Sequence, residues 1–546
     1  MPYERNARFL EFKPQRVIDD ELLGWLCPSH WEVERQLQLV NKQRYDGTLR
    51  WVLDMPELTA WLKSKPNSDE RILWICGGPG IGKSVMAGFL IEKLKETLTD
   101  SIVVYFFCKS GEPKLTEIRA IIQTLAYKCM QTFQQARSVL EALKKAQFPI
   151  SPNTSIRLLF TKLIAEPLKC VSQDVYIILD GLDEADTVTM DAYEMREEVK
   201  ILIECLGSLK TAHILFISPP EVSLDEDISN LPIKSIGENE NSSDIETYIR
   251  EQFSKSGPLR KWYTGDVNGL VKSLISNSRG LFLWVFIVLQ DLSTAKDKRK
   301  FENCLSAFLK SSGRMDDLYS AILSRIHEDD QDWIREILQW VVVAQRALAI
   351  EELAAAVEWS LGNERFDFQR FLEVECGSLI MFTPGSQRDK TVYLVHETLC
   401  SFLLDRQKCD AKWRIDEEIT HGYVALKCME SLSIEDDSNI VNKYAAMQWV
   451  AHLSRATSAQ QSAEILASLH QFFESRAVNV WVKTGLIKLP YFRYGLILKF
   501  EEPYLESIAL WVERTWRNID DLQKHISVGS GTDLQFVTLE KWSREV

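Results

Sequence analysis

One short stretch of the chain has the residue types and spacing of a phosphate-binding loop. Residues 77–84 read GGPGIGKS and fit the pattern G-x-x-x-x-G-K-[ST]. Glycines let backbone N–H groups turn toward an anion, and a helix beginning near Ser84 would add its positive end. Lys83 would reach the β- and γ-phosphates, and the Ser84 hydroxyl would join the ligands of Mg²⁺. The alternative is an ordinary glycine turn between a strand and a helix.

A second stretch places acidic side chains at the end of a predicted strand. Residues 175–184 read VYIILDGLDE, which predicts a buried strand ending at Asp180. If this strand ends at the same sheet edge as the loop, Asp180 would hold Mg²⁺ directly or through water. Asp183 or Glu184 could then orient the water that attacks the γ-phosphate. Taken alone, the same residues would also fit a solvated acidic turn.

The elements that must position these residues alternate between strand and helix. Continuous apolar runs predict strands covered on both faces, at residues 72–76, 102–108, 175–180 and 213–218. Helical patterns lie between them, including residues 116–130 and 156–168. The fold class predicted for this region is therefore α/β, a doubly wound parallel sheet with right-handed crossovers.

Beyond Pro220 the strand signal nearly vanishes and helical patterns dominate. Asp244 is expected to cap a helix. Two apolar pieces, residues 379–382 and 392–395, flank a Pro-Gly turn and predict a hairpin. Helices followed by such a hairpin indicate a winged-helix module. The remaining chain is again helical and shows no fixed-period repeat.

Composition excludes several classes of protein. The net charge of −14 argues against a general nucleic-acid-binding surface. The 11 cysteines are odd in number and form no C-x-x-C pair, so we expect reduced thiols in a cytoplasmic protein. The N-terminus lacks a signal-peptide pattern, and no apolar run reaches the roughly 18 residues of a membrane span.

Taken in order, the motifs resemble the NACHT family of P-loop NTPases. The phosphate loop, the LDGLDEAD segment at residues 179–186 and the strand ILFISPPE at residues 214–221 are similar to its nucleotide-binding core. Six later segments are similar to segments of the fungal members of the family. These segments are SDIETYIREQF at 243, RGLFLWVFIVLQDL at 279, DLYSAILSRI at 317, ILQWVVVAQRALAIEELAAAV at 337, VYLVHETLCSFLL at 392 and NKYAAMQWVAHL at 442. The resemblance covers roughly residues 21–453.

The resemblance implies a signal-transducing ATPase of the STAND class. Such a protein is closed with ADP, opens with ATP, and then self-associates or pairs with related NACHT proteins. Fungal members act in NLR-like non-self recognition, heterokaryon incompatibility and programmed cell death. The expected ligands are ATP or ADP with Mg²⁺, and GTP is compatible with the same loop.

The same resemblance assigns roles to individual residues. Glu184 and Asp183 are the predicted catalytic residues, and Ser84 and Asp180 are the predicted metal ligands. The predicted nucleotide-binding residues are Gly77, Gly78, Pro79, Gly80, Ile81, Gly82, Lys83, Ser84, Val85 and His396. His396 would contact the ADP β-phosphate in the closed state, and its alternative is a core histidine after a strand.

Two departures from the family pattern bear on catalysis and base contacts. Many relatives carry Arg after the Ser or Thr of the fourth strand, whereas this chain has Ser218 followed by Pro219. Proline supplies neither a cation nor an N–H, so we expect slow or impaired hydrolysis. Arg279 and Arg250 are candidate substitutes. The RGLFLW segment also lacks the proline that many relatives place over adenine.

The predicted organisation has five parts and leaves two rival functions open. The parts are a helical N-terminal segment (1–66), the NACHT nucleotide-binding domain (67–235), a helical domain (236–330), a winged-helix domain (331–410) and a helical C-terminal region (411–546). No recognisable effector domain or repeat array is expected. The rivals are a non-catalytic nucleotide-binding scaffold or decoy, and a small-molecule kinase. The acidic balance argues against DNA contact by the winged helix.

Overall fold

A computed structural model of the chain divides into two compact units, Met1–Leu305 and Ser306–Val546. It describes residues 20–109, 112–151, 153–185, 192–219, 232–310, 313–383, 390–433 and 441–456, together with 465, 467–468 and 471–472. Most of the helical C-terminal region predicted beyond residue 456 lies outside the described residues.

A parallel five-stranded sheet forms the centre of the first unit. Its strands are β1 (Ile72–Gly77), β2 (Ile102–Phe107), β3 (Val175–Asp180), β4 (Ala212–Ser218) and β5 (Ile233–Ile236). They lie in the order β2-β3-β4-β1-β5, and every neighbouring pair is parallel. Every residue of β1 to β4 is buried, so the continuous apolar runs correctly predict strands covered on both faces.

The edge strand β5 lies beyond Pro220, where the sequence shows almost no strand signal. Ile233 and Ser235 are exposed, Lys234 is half-buried, and only Ile236 is buried. An edge strand packs fewer side chains than a central one, so no apolar run marks its position in the sequence.

Helices surround this sheet. In the first unit they are α1 (Asp20–Leu26), α2 (His30–Gln43), α3 (Arg50–Leu53), α4 (Pro56–Lys63), α5 (Lys83–Thr97), α6 (Pro113–Thr116), α7 (Ile118–Thr132), α8 (Gln134–Lys145), α9 (Ile156–Phe160), α10 (Glu166–Leu168), α11 (Ala192–Gly207), α12 (Glu238–Lys255), α13 (Gly257–Trp262), α14 (Val267–Ser278), α15 (Phe282–Ser293) and α16 (Lys298–Lys310), which continues into the second unit. A π-helical turn, Thr161–Ala165, joins α9 to α10, so the predicted helix at 156–168 is continuous.

The N-terminal helices share the hydrophobic core of the sheet. Leu22, Val33 and Trp61 belong to the same buried cluster as the residues of β1 to β4. The indole N–H of Trp61 donates to the carbonyl oxygens of Arg71 and Ile214, both at 3.0 Å. These helices are therefore part of the nucleotide-binding fold's packing.

Asp244 caps a helix other than its own, which corrects the sequence prediction. It lies inside α12, whose start is tied by the carboxylate of Glu240 accepting from Gly237 N at 3.0 Å. Its own buried carboxylate accepts from Leu49 N at 2.8 Å and from the Trp51 indole at 2.9 Å. It thus stabilises the start of α3, because helix N-termini leave N–H groups without partners.

The second unit contains helices and a small antiparallel sheet. Its further helices are α17 (Met315–Leu323), α18 (Glu328–Val343), α19 (Ile350–Leu361), α20 (Phe368–Glu375), α21 (Glu397–Leu404), α22 (Glu417–Leu432) and α23 (Val441–Arg455). The strands β6 (Leu348–Ala349), β7 (Ile380–Phe382) and β8 (Thr391–Leu394) lie in the order β6-β8-β7. The predicted hairpin is confirmed as the antiparallel pair of β7 and β8.

Two expectations about the whole chain can be compared with the described residues. None of the described helices has both the length and the apolar character needed to cross a membrane. All cysteines lie among the described residues, and each is a free thiol.

Candidate nucleotide-binding site

The phosphate loop joins the central strand β1 to helix α5. Strand β1 ends at Gly77, and α5 begins at Lys83. Gly80 and Gly82 have φ values of 79° and 103°, in the left-handed region that side chains other than glycine rarely adopt. The structural context expected of this motif, strand, glycine turn and helix, is therefore present.

The ammonium of Lys83 lies over this loop. It donates to the carbonyl oxygens of Gly77 at 2.9 Å and Gly78 at 3.1 Å. Burial lowers the pKa of Lys83, while the charges of Asp180, Asp183 and Glu184 oppose that shift. Lys83 and the three predicted acids are therefore close enough in the fold to interact through their charges.

Asp180 is a buried carboxylate at the end of β3. Its side chain is 3% exposed, and burial raises its pKa to about 7, although a Ser84 hydrogen bond and the charge of Lys83 favour the ionised form. Its Oδ1 atom is buried and has no hydrogen-bond partner. A buried oxygen without a partner is costly unless a ligand satisfies it.

The donor set of Asp180 and Ser84 fits a magnesium ion. Mg²⁺ prefers oxygen ligands and is usually held by one or two side chains with substrate phosphates and waters. Among the described residues no cluster of three or more His, Cys, Asp or Glu side chains could hold a metal. These two residues could therefore hold Mg²⁺ only together with a bound phosphate and water.

A tight turn after β3 carries the predicted catalytic acids. Gly181 has φ 75°, and a Cβ there would lie 2.9 Å from the carbonyl oxygen of Cys108, so a larger residue would not fit. The turn continues as a short 3₁₀ helix, Leu182–Glu184. Asp183 is exposed and Glu184 is half-buried, shortly after the strand end that carries Asp180.

The end of β4 is arranged differently. Ser218 is fully buried, and its hydroxyl accepts from the indole N–H of Trp74 at 2.8 Å. The same hydroxyl donates to the carbonyl oxygen of Pro219 at 3.3 Å. Sequence reasoning missed Trp74, although a buried indole N–H needs a partner and therefore gives a general signal.

Two parts of the chain match known families. Residues 47–218 match the family described as Nephrocystin 3, N-terminal, and residues 326–416 match the winged helix domain of GPI inositol-deacylase. Vegetative incompatibility protein HET-E-1 of Podospora anserina is 24% identical over 406 residues, which are 72% of this chain. Together these matches support a fungal NACHT-type P-loop NTPase. The chain spans 28% of the length of HET-E-1.

Solved structures resemble this chain only in part. Cdc6p of Pyrobaculum aerophilum is 14% identical, with 72% of this chain and 100% of that chain covered and a TM-score of 0.29. The ORC2 protein of Aeropyrum pernix is 13% identical, with 67% of this chain and 97% of that chain covered and a TM-score of 0.31. The sheet order and the loop geometry described above define the fold of the first unit.

Two arginines were candidate substitutes for the missing cation after β4. Arg250 donates to Glu246 Oε1 at 2.8 Å and to Asn268 Oδ1 at 3.0 Å on the exposed surface of α12. Arg279 ends α14 in a left-handed conformation with φ 49°. Arg250 is thus already paired with an acid of its own helix.

His396 lies in the second unit, directly before α21. Its Nδ1 accepts from the backbone N–H of Thr398 at 3.2 Å, so the neutral ring carries its proton on Nε2. The Thr398 hydroxyl in turn lies 2.9 Å from the hydroxyl of Tyr319. The predicted contact between His396 and a nucleotide remains a prediction.

Proposed function

We propose that the chain is a nucleotide-dependent molecular switch, closed with ADP and open with ATP, with slow or impaired hydrolysis. The observation that supports it is a contrast at one edge of the sheet. Lys83, Ser84 and the buried Asp180 lie close together and have the chemistry to bind a phosphate and its metal. The neighbouring strand ends in Ser218 and Pro219, with the Ser218 hydroxyl bonded to Trp74.

We assign the following roles within this proposal. Residues 77–85 surround the phosphates, with Lys83 and the backbone N–H groups of the residues other than Pro79 as donors, while Ser84 and Asp180 hold Mg²⁺. The ion, when bound, neutralises charge between the β- and γ-phosphates. Glu184, assisted by Asp183, orients the attacking water. His396 donates from Nε2 to the β-phosphate in the closed state.

The name of a relative supports the cellular role that we propose. HET-E-1 is called a vegetative incompatibility protein, and we propose an NLR-like role in fungal non-self recognition or cell death for this chain. In the ATP state it self-associates or pairs with related NACHT proteins in the cytoplasm. A change from 1:99 to 99:1 between states requires an affinity difference of roughly 5.5 kcal/mol. We also propose that the five parts predicted from the sequence are the domains of this switch.

A second function is favoured by one specific contact. Because the Trp74 indole donates a hydrogen bond to the Ser218 hydroxyl, the end of β4 is held by a contact within the protein. A chain that binds nucleotide only for structural support, as a scaffold or decoy that pairs with longer relatives, would need nothing more at that position.

Calorimetry and mass measurement separate the two functions. The purified chain is titrated with ADP and with a non-hydrolysable triphosphate, and its mass is followed by light scattering after exchange. The switch predicts unequal affinities for ADP and the triphosphate and a mass that rises with the triphosphate. Equal affinities together with a constant mass would contradict the switch and favour the scaffold.

The rate of ATP hydrolysis tests the proposed role of Glu184. Wild type is compared with Glu184→Gln, which keeps the size of the side chain and removes its charge. Slow wild-type hydrolysis that falls further in the variant supports the proposed role of Glu184. Equal turnover in both proteins would remove that role without affecting the measured affinities.

A further inference from the structure

A buried side-chain amide from α12 holds the apex of the phosphate loop. Asn241 is 2% exposed. Its Nδ2 atom donates to the carbonyl oxygen of Ile81 at 2.7 Å and to that of Gly280 at 3.1 Å. An asparagine amide has two N–H groups, so both of its donors are used by backbone carbonyls.

A second contact from the helical side holds the preceding loop residue. The backbone N–H of Leu283, in the first turn of α15, donates to the carbonyl oxygen of Gly80 at 3.0 Å. N–H groups in the first turn of a helix have no partner within the helix, so this one is available to the loop. A Cβ on Gly80 would lie 3.0 Å from the Leu283 Cβ, which shows how closely the two segments pack.

Peptide geometry links these outward contacts to the inner face of the loop. In a trans peptide the C=O and the following N–H point in opposite directions. A Gly80 carbonyl turned toward α15 therefore sends the Ile81 N–H the other way, and an Ile81 carbonyl turned toward Asn241 does the same for Gly82. N–H groups of this loop are the ones that cradle phosphates.

The turn at Gly280, whose carbonyl also accepts from Asn241, is closely packed against the start of α12. Gly280 has φ 78°, and a Cβ there would lie 2.5 Å from the Cα of Glu238 at the start of α12. The amide thus bridges two backbone segments that cannot shift independently without breaking one of its hydrogen bonds.

We propose that Asn241 is a positioning residue for nucleotide binding. It holds the Ile81 carbonyl outward, so that the Gly82 N–H is set toward the phosphates before nucleotide arrives. Through Gly280 it also ties this orientation to the turn between α14 and α15. The inference rests on the nucleotide binding proposed above and adds the residue that prepares the loop for it.

The test exchanges the amide for a carboxylate of the same shape. Asn241→Asp removes both donors and places a negative charge beside two carbonyl oxygens. Asn277→Asp is the matched control, since the Asn277 amide donates to Ser273 O within its own helix. Isothermal titration with ADP and Mg²⁺ should show affinity at least about tenfold weaker in Asn241→Asp and unchanged in the control.

A second readout separates positioning from stability. The melting temperature is measured without nucleotide, so that any loss of ADP affinity can be compared with the folded fraction. Protonation of the new carboxyl restores one donor, so ADP affinity relative to wild type should recover as pH falls from 8 to 6. Asn241→Leu, which cannot regain a donor, should show no such recovery.

Each outcome decides the inference. A folded Asn241→Asp variant that binds ADP like wild type overturns the positioning role and leaves the proposed function standing. Failure of wild type itself to bind ADP overturns both. If Asn241→Asp does not fold, Asn241→Ser is measured in its place. Loss of the fold there too assigns Asn241 to stability and overturns the positioning role.

Discussion

The strands β1 and β4 lie side by side in the central sheet, with Cys76 paired to Ser218 near their ends. Both are buried along their whole length. Strand β1 continues into a glycine loop and Lys83, whereas β4 ends in a serine bonded to Trp74 and then in Pro219. The ends of these two neighbouring strands therefore carry different functional groups. The difference arises from the residues that follow each strand.

The polar atoms at these strand ends show the same difference. Asp180, on the strand beside β4, keeps a buried oxygen without a hydrogen-bond partner and has a raised pKa of about 7. The Ser218 hydroxyl both accepts and donates within the fold. A buried polar group without a hydrogen-bond partner and with a shifted pKa is typical of a functional site, while a fully hydrogen-bonded group is typical of a structural role. The comparison predicts strong nucleotide binding and weak catalysis, and four experiments test this prediction.

The largest effect is expected from Lys83→Ala. Loss of the ammonium should weaken ADP and ATP binding by up to about 100-fold, because hydrogen bonds to charged groups contribute about 1.5–3 kcal/mol. Lys93→Ala on the same helix is the control, since Lys93 pairs on the surface with Glu96. Titration calorimetry that finds equal losses in both variants would remove the special role of the loop lysine.

The second experiment supplies the missing cation. Pro219→Arg should raise the rate of ATP hydrolysis about tenfold or more, with little change in ADP affinity, because an arginine at a phosphate stabilises transition-state charge. Pro219→Ala removes the ring without adding charge and should hydrolyse at the wild-type rate. A steady-state phosphate-release assay measures both. Equal rates in the two variants would mean that β4 does not limit catalysis.

The third experiment tests the buried carboxylate of Asp180. Its folded-state pKa of about 7 lies above the ordinary value of 3.8, so ionisation costs stability increasingly as pH rises toward 7. Asp180→Asn should therefore unfold with a free energy roughly 1–3 kcal/mol higher at pH 8, while losing the Mg²⁺ dependence of ATP binding. This gain should shrink as pH falls toward 4.

Denaturant unfolding at pH 8 and pH 5, without nucleotide, measures the stability difference. Wild type should also bind Mg²⁺-ATP more tightly as pH rises through 7, because the metal needs the ionised carboxylate. A variant less stable than wild type at pH 8 would show that Asp180 is satisfied within the fold.

The smallest effect is expected from Trp74→Phe. Loss of one hydrogen bond to Ser218 should lower the free energy of unfolding by about 1 kcal/mol and leave hydrolysis within about twofold of wild type. Trp31→Phe is the control at an exposed position. Phosphate release that rises markedly in Trp74→Phe would instead identify the indole contact as a brake on catalysis.

Local patterns allowed much of the fold and the site to be predicted. Residues 72–77 and 175–180 are buried strands, and Gly80 and Gly82 of the loop adopt left-handed conformations. These features depend on apolar runs and on backbone freedom, which neighbouring residues set. The edge strand β5 escaped prediction because its burial is slight and its order depends on pairing with β1.

The phosphate loop, the acidic strand end and the proline in place of arginine at position 219 can be read from the sequence, because residue type and short spacing carry that information. The folded structure was needed to show that Asn241 donates to Ile81, 160 positions away, and that Trp74 donates to Ser218, 144 positions away. An asparagine within a polar helical segment looks like any solvated residue. Its partner is set by how α12 packs on the loop, which no local pattern encodes.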